Sequence, residues 1–203
     1  MHTKDLSARK TPSQYRSIEK VRKILDGAIE VLVEDGLLAL TTNSVAEMSG
    51  VTVGSIYQYF PNKEAILLVL YREWLDEAFQ TYREYADAHS EISDPADYFE
   101  GLFMAYCDAS GERDHKLSSE LVNALMTNPQ LRAMDEEYSI NIVQFLHQDR
   151  IRLGVDQPGS TTEQTRIGLD IVVALLDVVS RADRAARPSY IERTRKLVRL
   201  SLS

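Results

Sequence analysis

Apolar residues recur at alternating steps of three and four along most of this 203-residue chain, which is the spacing of one face of an α-helix. The chain has only 6 prolines and 9 glycines to interrupt such helices, and no segment alternates with a period of two. A clear example near the N-terminus consists of Ile18, Val21, Leu25, Ala28 and Leu32. The sequence therefore predicts an all-α fold of about nine helices.

Charge is distributed unevenly along the chain. The whole sequence is acidic, with a net charge of -8, which excludes a wholly basic nucleic-acid coat protein. Basic residues are nevertheless concentrated in the first 23 residues, and we expect residues 1–15 to form a basic arm. Such an arm is expected either to bind an anionic partner or to serve as a solubilising tail.

The single cysteine, Cys107, excludes an intrachain disulfide and fits a reducing compartment. No apolar run reaches the ~20 residues that cross a bilayer, and the first residues contain no apolar signal-peptide core. We therefore expect a cytoplasmic protein with no membrane partner.

Three residues have the spacing of a helix-turn-helix motif, in which two short helices cross steeply through a tight turn. Ala46 is small where the second helix approaches, Gly50 tolerates a positive φ in the turn, and Ile56 closes the joint. Thr42 and Thr52 are expected to cap the two helices. This spacing is moderately specific, because it also arises by chance in helical proteins.

The second helix of this motif is predicted to have a polar outer face. Its hydroxyls and its amide can reach phosphates and base edges. A glycine inside a helix, such as Gly54, lowers stability by roughly 0.5–1 kcal/mol relative to alanine. The presence of glycine is explained if another surface approaches the helix closely at this position. Lys63 follows the Asn62 cap, and a cation in a first helical turn is favourable if a phosphate lies nearby. The outer-face residues are Thr52, Val53, Ser55, Tyr57, Gln58 and Tyr59.

The stretch from Thr41 to Leu67 resembles the DNA-binding signature of the TetR family of tetracycline-repressor-like regulators. The resemblance extends over roughly residues 16–70, about a quarter of the chain, and it is highly specific for that family. The matching features are Thr41-Thr42, the run from Ala46 to Val51, Ile56-Tyr57-Gln58-Tyr59-Phe60 and Lys63-Glu64.

This resemblance implies a three-helix DNA-binding domain over residues 16–62 and an effector-binding and dimerisation domain over residues 63–203. Val53 and Gln58 occupy positions where many members carry a cation, so the operator of a relative cannot be transferred. The implied DNA contacts are Thr42, Thr52, Val53, Gly54, Ser55, Tyr57, Gln58, Tyr59 and Lys63.

The resemblance also implies a dimer interface in the C-terminal part. The stretch from Ile167 to Val179 is apolar on nearly every side, so a helix there must be covered on all sides. A second subunit would cover one side, and the alternative is a buried central helix of a monomer. The predicted interface residues are Ile171, Leu175, Val178, Val179, Ala182, Ile191 and Val198.

An effector pocket is expected among the helices between Asp94 and Leu153. Their many apolar and aromatic residues are compatible with a mostly hydrophobic ligand, although most such residues in a helical bundle are simply core. The candidate contacts are Phe99, Phe103, Tyr106, Leu121, Leu125, Met126, Tyr138, Ile142 and Phe145.

Signals of catalysis are weak. The four histidines are scattered, no zinc-binding pattern or glycine-rich phosphate loop occurs, and we expect neither enzymatic activity nor a cofactor or metal. The expected function is a ligand-responsive transcriptional regulator, most simply a repressor, that binds operator DNA as a homodimer. The alternative is a helical ligand-binding or assembly protein without operator binding.

Overall fold

The computed structural model describes residues 15–109 and 111–202, which form nine α-helices and one 3-10 helix. This confirms the predicted all-α class. The predicted basic arm lies outside the described residues, except for its last position. None of the helices in the described part is long and apolar enough to cross a membrane. The α-helices are α1 (Tyr15–Glu34), α2 (Thr42–Ser49), α3 (Val53–Tyr59), α4 (Lys63–Ala88), α5 (Pro95–Ala109), α6 (Glu112–Leu125), α7 (Pro129–Arg152), α8 (Glu163–Ser180) and α9 (Arg187–Leu202), and the 3-10 helix is Leu37–Ala39.

The described chain divides into two compact units. The N-terminal unit holds the residues up to Trp74 together with Lys116–Arg132, and the C-terminal unit holds Leu75–His115 and the residues from Ala133 onwards. Helices α4, α6 and α7 each contribute residues to both units. The division does not follow the expected change of domain between residues 62 and 63, and the extent of the DNA-binding domain stays a prediction.

Helix α1 packs against α2 through a close approach of the two backbones. A Cβ atom on Gly27 would lie 2.7 Å from the Cβ of Ser49 and 2.9 Å from its backbone nitrogen, so only glycine fits. Gly36 ends α1 as expected, with a φ of 81° and an N–H that donates to the carbonyl of Val31 at 3.1 Å. The apolar stripe of α1 is buried only from Ile24 onwards, since Ile18 at its start is 53% exposed. The buried apolar residues of α1 are Ile24, Leu25, Ala28, Val31 and Leu32.

The 3-10 helix that follows α1 is held by a side chain of α6. The Glu120 carboxylate accepts a hydrogen bond from the backbone N–H of Leu37 at 2.8 Å. Because a helix N-terminus leaves backbone N–H groups without an internal partner, this carboxylate satisfies one of them. The contact fixes the segment that leads into α2.

Three helices begin directly after a side chain that accepts hydrogen bonds from backbone N–H groups. Asn62 caps α4 through the N–H of Ala65, Asp94 caps α5 and Asn128 caps α7. Each is an Asn or Asp directly before the first helical turn, where its short side chain reaches the free N–H groups.

Ser160 and Ser189 are each followed by a glutamate three residues later, which is the spacing of a capping box, but neither of them begins a helix. Ser160 lies in a turn, and its backbone N–H donates to the carbonyl of Gln157. Helix α8 begins at Glu163, and the preceding Thr162 makes no side-chain hydrogen bond that would cap it. Ser189 lies inside α9, which begins two residues earlier at Arg187. Capping-box spacing alone does not define the start, because the preceding turn decides where the chain enters the helix.

The core of the C-terminal unit is aromatic. Tyr98 and Phe99 of α5 pack edge-on, with ring centroids 5.2 Å apart. Such aromatic pairs add roughly 0.5–1.5 kcal/mol to the burial of their surface. Other buried members of this core come from α4, α5, α7, α8 and α9, and they are Tyr82, Leu102, Phe103, Val143, Leu146, Leu169, Val172 and Val198.

A buried polar cluster joins the end of α7 to the start of α8 within the C-terminal unit. Arg150 binds the Asp156 carboxylate through Nε at 2.9 Å and Nη2 at 3.2 Å, and His147 Nδ1 lies 3.1 Å from the same carboxylate. Thr165 lies within hydrogen-bond distance of the same ring nitrogen. Hydrogen bonding from Arg150 is the largest effect on the pKa of Asp156 and holds it below its usual value. A buried pair with several hydrogen bonds is costly to break by removing one partner.

Candidate DNA-binding site and ligand cavity

The start of α2 is defined by a reciprocal pair of hydrogen bonds. Thr41 accepts from the N–H of Ser44 at 3.0 Å, and the Ser44 hydroxyl accepts from the N–H of Thr41 at 2.9 Å. This is a capping box, so Thr41 is the N-cap and Thr42 is the first helical residue. The prediction of Thr42 as the cap is therefore wrong by one residue. The residue three positions after Thr42 is Val45, which has no polar group to complete a box.

The joint between α2 and α3 forms as the spacing predicted. Gly50 adopts the left-handed region, with φ 67° and ψ 17°, and Thr52 caps α3 by accepting from the N–H of Ser55. Val45 and Ile56 are completely buried, and Ala46 is half-buried. The two short helices are thus locked into one rigid element.

The outward surface of α3 consists of small and polar side chains. Thr52, Gly54 and Gln58 are exposed, and Tyr57 is 43% exposed, whereas Val53 and Ser55 are half-buried. Tyr59 is only 6% exposed because it faces the core of the N-terminal unit. The prediction that Tyr59 is available to DNA is corrected, since its ring is covered by the chain itself.

Three predicted DNA contacts are held in place by the chain. The hydroxyl oxygens of Thr42 and Tyr57 lie 3.2 Å apart, which links the first turn of α2 to the outer surface of α3. The Lys63 ammonium group donates to the carbonyl of Leu40 at 3.0 Å. All three side chains are therefore oriented before any partner binds.

The C-terminal unit contains an apolar cavity. The empty space within it is about 350 Å³, which includes space that is open to solvent. Three of the predicted ligand contacts, Phe99, Phe103 and Tyr106, line it. The other lining residues are Tyr82, Leu102, Leu146, Leu169, Val172, Leu176 and Val198.

The other six predicted ligand contacts do not line this cavity, and the residues that bind a ligand stay a prediction. Met126 is 80% exposed, the Tyr138 hydroxyl donates to the carboxylate of Asp76, and Phe145 packs edge-on against Phe79. Apolar character alone does not distinguish a core residue from a residue of the cavity wall. The difference depends on how α4, α5, α7, α8 and α9 pack around the residue. Ile142 is buried in the surrounding core, and three of the six residues belong to the N-terminal unit, namely Leu121, Leu125 and Met126.

The polar groups of the cavity are tyrosine hydroxyls. The rings of Tyr82 and Tyr106 have centroids 6.0 Å apart, and burial raises the pKa of Tyr82 far above its usual value. No lining residue carries a formal charge at neutral pH. Burying an unpaired charge in such a site is expensive, so the cavity suits a neutral, mostly apolar molecule.

One side of α8 remains uncovered and apolar. Ile171 is 42% exposed and Val178 is 46% exposed, and on α9 Leu197 is 51% exposed. On a helical wheel Ile167, Ile171, Ala174 and Val178 share one side of α8, opposite the side that packs into the core. An apolar side that its own chain leaves open is typical of an interface.

Two predicted interface residues are not part of this open face. Val179 and Val198 are buried within the chain, with Val198 lining the cavity, so neither is available to a second subunit. The assignment of these two residues is corrected. Leu175, Ala182 and Ile191 are half-buried, and Leu175 and Ile191 pack against the core of the C-terminal unit.

Cys107 is buried in the C-terminal unit, and burial raises the pKa of its thiol to about 12. Among the residues that the structure describes, no group of three or more His, Cys, Asp or Glu side chains is arranged to hold a metal ion.

Comparisons with known proteins agree with this arrangement. The model of the family described as "Bacterial regulatory proteins, tetR family" matches residues 24–70, which contain α2, α3 and the first turns of α4. A transcriptional regulator from Rhodococcus sp. Rha1 has the same fold, with a TM-score of 0.73 and 17% sequence identity over 90% of this chain and 95% of that chain.

Two curated relatives are named as regulators. The HTH-type transcriptional repressor KstR2 of Mycobacterium tuberculosis is 34% identical over 87 residues, so the match spans 43% of this chain and only 42% of that protein. The HTH-type transcriptional regulator UidR of Escherichia coli K12 is 25% identical over 87% of this chain and 89% of its own length.

The fold and the exposed second helix define a helix-turn-helix protein with an all-α C-terminal part. Residues 24–70 match the family of bacterial regulatory proteins named after TetR, and the relatives and the solved structure to which this chain is similar are transcriptional regulators.

Proposed function

We propose that this protein is a ligand-responsive transcriptional regulator, most simply a repressor, which binds a near-palindromic operator as a homodimer. The outer surface of α3 is the observation that carries this proposal. Gly54, Tyr57 and Gln58 project from a helix that is locked against α2 through Gly50 and Ile56. A short helix held in this way is the element that enters the major groove in helix-turn-helix proteins.

A second copy of the chain is the proposed partner of the open apolar face. Ile171 and Val178 of α8 and Leu197 of α9 are large apolar side chains left exposed on neighbouring helices. Two such faces bury each other when a symmetric pair of α8 and α9 helices forms a four-helix arrangement. The two α3 helices of the dimer would then reach major grooves about 34–36 Å apart.

The proposed effector is a small, neutral and mostly hydrophobic molecule in the C-terminal cavity. Tyr82 lines that cavity and lies on α4, which begins at Lys63 and continues without a break to Ala88. A rise of 1.5 Å per residue puts Lys63 and Tyr82 roughly 28 Å apart along this helix. An effector that displaces Tyr82 would therefore act on the helix that also carries Lys63.

Linkage sets the direction of this effect. An effector that releases DNA must bind the DNA-free form more tightly, by the same factor by which it weakens operator binding. A typical coupling of about 1–3 kcal/mol corresponds to roughly 5–150-fold. Trp74 is the only tryptophan, lies on α4 and packs at 5.5 Å from Tyr71, so its fluorescence can report such a change.

A gel-shift experiment on the DNA that flanks the gene of this protein tests the proposal. We expect a discrete complex with one duplex, competed by the same duplex and not by unrelated DNA. The variant Gln58→Ala, which changes only the exposed surface of α3, should discriminate less strongly between this duplex and unrelated DNA. A folded wild-type protein that binds no duplex in preference to another would favour the alternative, a helical ligand-binding protein without an operator.

A further inference from the structure

Gly54 and Gln58 form the outermost line of α3. They are four residues apart and therefore lie on the same face of the helix, opposite the buried side chains of Ile56 and Tyr59. Gln58 is the only α3 residue whose side chain carries a donor and an acceptor on one planar group. The residue is exposed, so this amide is available to a partner of the helix.

Gly54 leaves the space beside that amide empty. A Cβ built on Gly54 would meet nothing within 4 Å, so no packing within the chain requires a glycine here. Its φ is not in the positive region either, because α3 is regular at this position. The missing side chain lets the helix approach a surface closely at the point where Gln58 projects.

Cations that could compete for base recognition are absent from α3. The helix reads Val-Gly-Ser-Ile-Tyr-Gln-Tyr and contains no Lys, Arg, His, Asp or Glu. The next cation along the chain, Lys63, donates to the carbonyl of Leu40, and Tyr57 is held against Thr42. Guanine is read mainly by Arg or Lys, whose donors match its two acceptors, O6 and N7.

We propose that Gln58 reads an adenine in each half-site of the operator. The amide nitrogen donates to adenine N7, and the amide oxygen accepts from the N6 amino group, a pairing that no other base edge matches with both bonds. The inference rests on the proposed function, since it requires α3 to lie in the major groove. It deepens that function by naming the base pair that the central side chain selects.

Selection from a pool of duplexes with randomised half-sites tests this inference with the full-length chain. For the wild type we expect one A·T position in each half-site to be preferred over the other base pairs by about 5–150-fold. Gln58→Ala should lose the preference at that position and keep it at the other positions.

The isosteric variant Gln58→Glu is the matched control. It has nearly the same shape as glutamine but cannot donate to N7, and a carboxylate accepts from the N4 amino group of cytosine. We therefore expect the same position to change from adenine to cytosine. Because residue 58 is exposed, all three proteins should have the same thermal unfolding midpoint, which excludes misfolding as the cause.

A single-atom change in the DNA tests the geometry. Replacing the selected adenine by 7-deazaadenine removes the N7 acceptor and leaves base pairing intact. Binding of the wild type should weaken by roughly fivefold, as for one lost hydrogen bond, whereas binding of Gln58→Ala should not change.

The outcomes separate the inference from the proposed function. If the wild type selects a defined site in which no adenine depends on residue 58, or in which the dependent base is guanine, the inference is wrong and DNA binding stands. If the wild type selects no sequence at all, the proposed function is wrong and the inference falls with it.

Discussion

The ammonium nitrogen of Lys63 lies 3.0 Å from the carbonyl oxygen of Leu40, so the first turn of α4 is hydrogen-bonded to the segment directly before the helix-turn-helix motif. Lys63 is half-buried, and the bond satisfies a carbonyl that helix α2 does not use. The same residue is predicted to contact a DNA phosphate. Its replacement should therefore affect both folding and binding.

Lys63→Met keeps most of the side-chain length but removes the charge and the hydrogen bond. We expect the free energy of unfolding to fall by about 1 kcal/mol, because the Leu40 carbonyl loses its partner. Binding to all DNA sequences should weaken alike, and the slope of log affinity against log salt should decrease by about 1. Lys116→Met, at an exposed position of α6, is the control. An unchanged salt slope would show that Lys63 does not contact a phosphate.

Two glycine-to-alanine variants separate stability from DNA binding. Gly27→Ala brings a Cβ within 2.7 Å of Ser49 and should lower the free energy of unfolding by about 1–3 kcal/mol through overpacking. In Gly54→Ala the added Cβ has no atom within 4 Å, so the free energy of unfolding should rise by about 0.5–1 kcal/mol. Gly54→Ala should nevertheless weaken operator binding, because the added methyl group keeps α3 away from the groove. Urea unfolding and binding titrations measure both effects, and operator binding equal to the wild type would contradict the close approach at Gly54.

The open apolar face predicts a dimer that exposed-residue variants can dissociate. Ile171→Asp combined with Leu197→Asp should give a folded monomer in sedimentation velocity, since both side chains are exposed in the single chain. Val173→Asp is the matched control, because Val173 is 51% exposed but lies on the side of α8 that carries Arg166, Asp170 and Asp177. A double variant that remains fully dimeric would locate the interface elsewhere.

A variant that fills the cavity should block binding of a neutral apolar dye such as Nile red. Leu176→Trp places a larger side chain in the cavity wall, and we expect affinity to fall roughly tenfold, in line with an overpacking cost of about 1–3 kcal/mol. Met126→Ala is the control, since Met126 is exposed outside the cavity. Equal dye affinity for wild type and Leu176→Trp would mean that the dye binds at another site.

The buried carboxylate of Asp156 predicts a specific acid dependence of stability. Its pKa is held below the usual value mainly by Arg150, so the folded state favours the ionised form. This contribution is complete above the unfolded pKa of about 3.9 and is lost as the pH falls through the lower pKa of the folded state. Asp156→Asn should be less stable at neutral pH by about 3–5 kcal/mol and should lose that part of the acid dependence. Parallel stability curves for both proteins between pH 5 and pH 2 would contradict this role.

Local features of the fold were predictable because they depend on neighbouring residues. The positive φ of Gly50, the Thr52 cap and the Asn62 cap each follow from side-chain chemistry within a few positions. The start of α2 was missed by one residue, although the Thr41 and Ser44 pair contains the signal of a capping box. Where two suitable caps are adjacent, the residue three positions later decides between them.

The candidate sites were only partly predictable because apolar character does not show what covers a side chain. Met126 is apolar but largely exposed, whereas Val198, expected at a subunit interface, is completely buried beside the cavity. Tyr59, expected at the DNA, faces the core. Each outcome depends on which helices pack around the residue, and these come from distant parts of the chain.

The sequence by itself determined the helical class, the family resemblance and the joint between α2 and α3, because periodicity, capping and a tight turn are short-range properties. Only the tertiary structure decided which aromatic residues enclose a cavity and which side of α8 stays open. The tertiary structure also determines the hydrogen bonds of Lys63 to the carbonyl of Leu40 and of Tyr57 to the hydroxyl of Thr42. These relationships join residues that are 15 or more positions apart, and burial at such distances follows from the packing of whole helices.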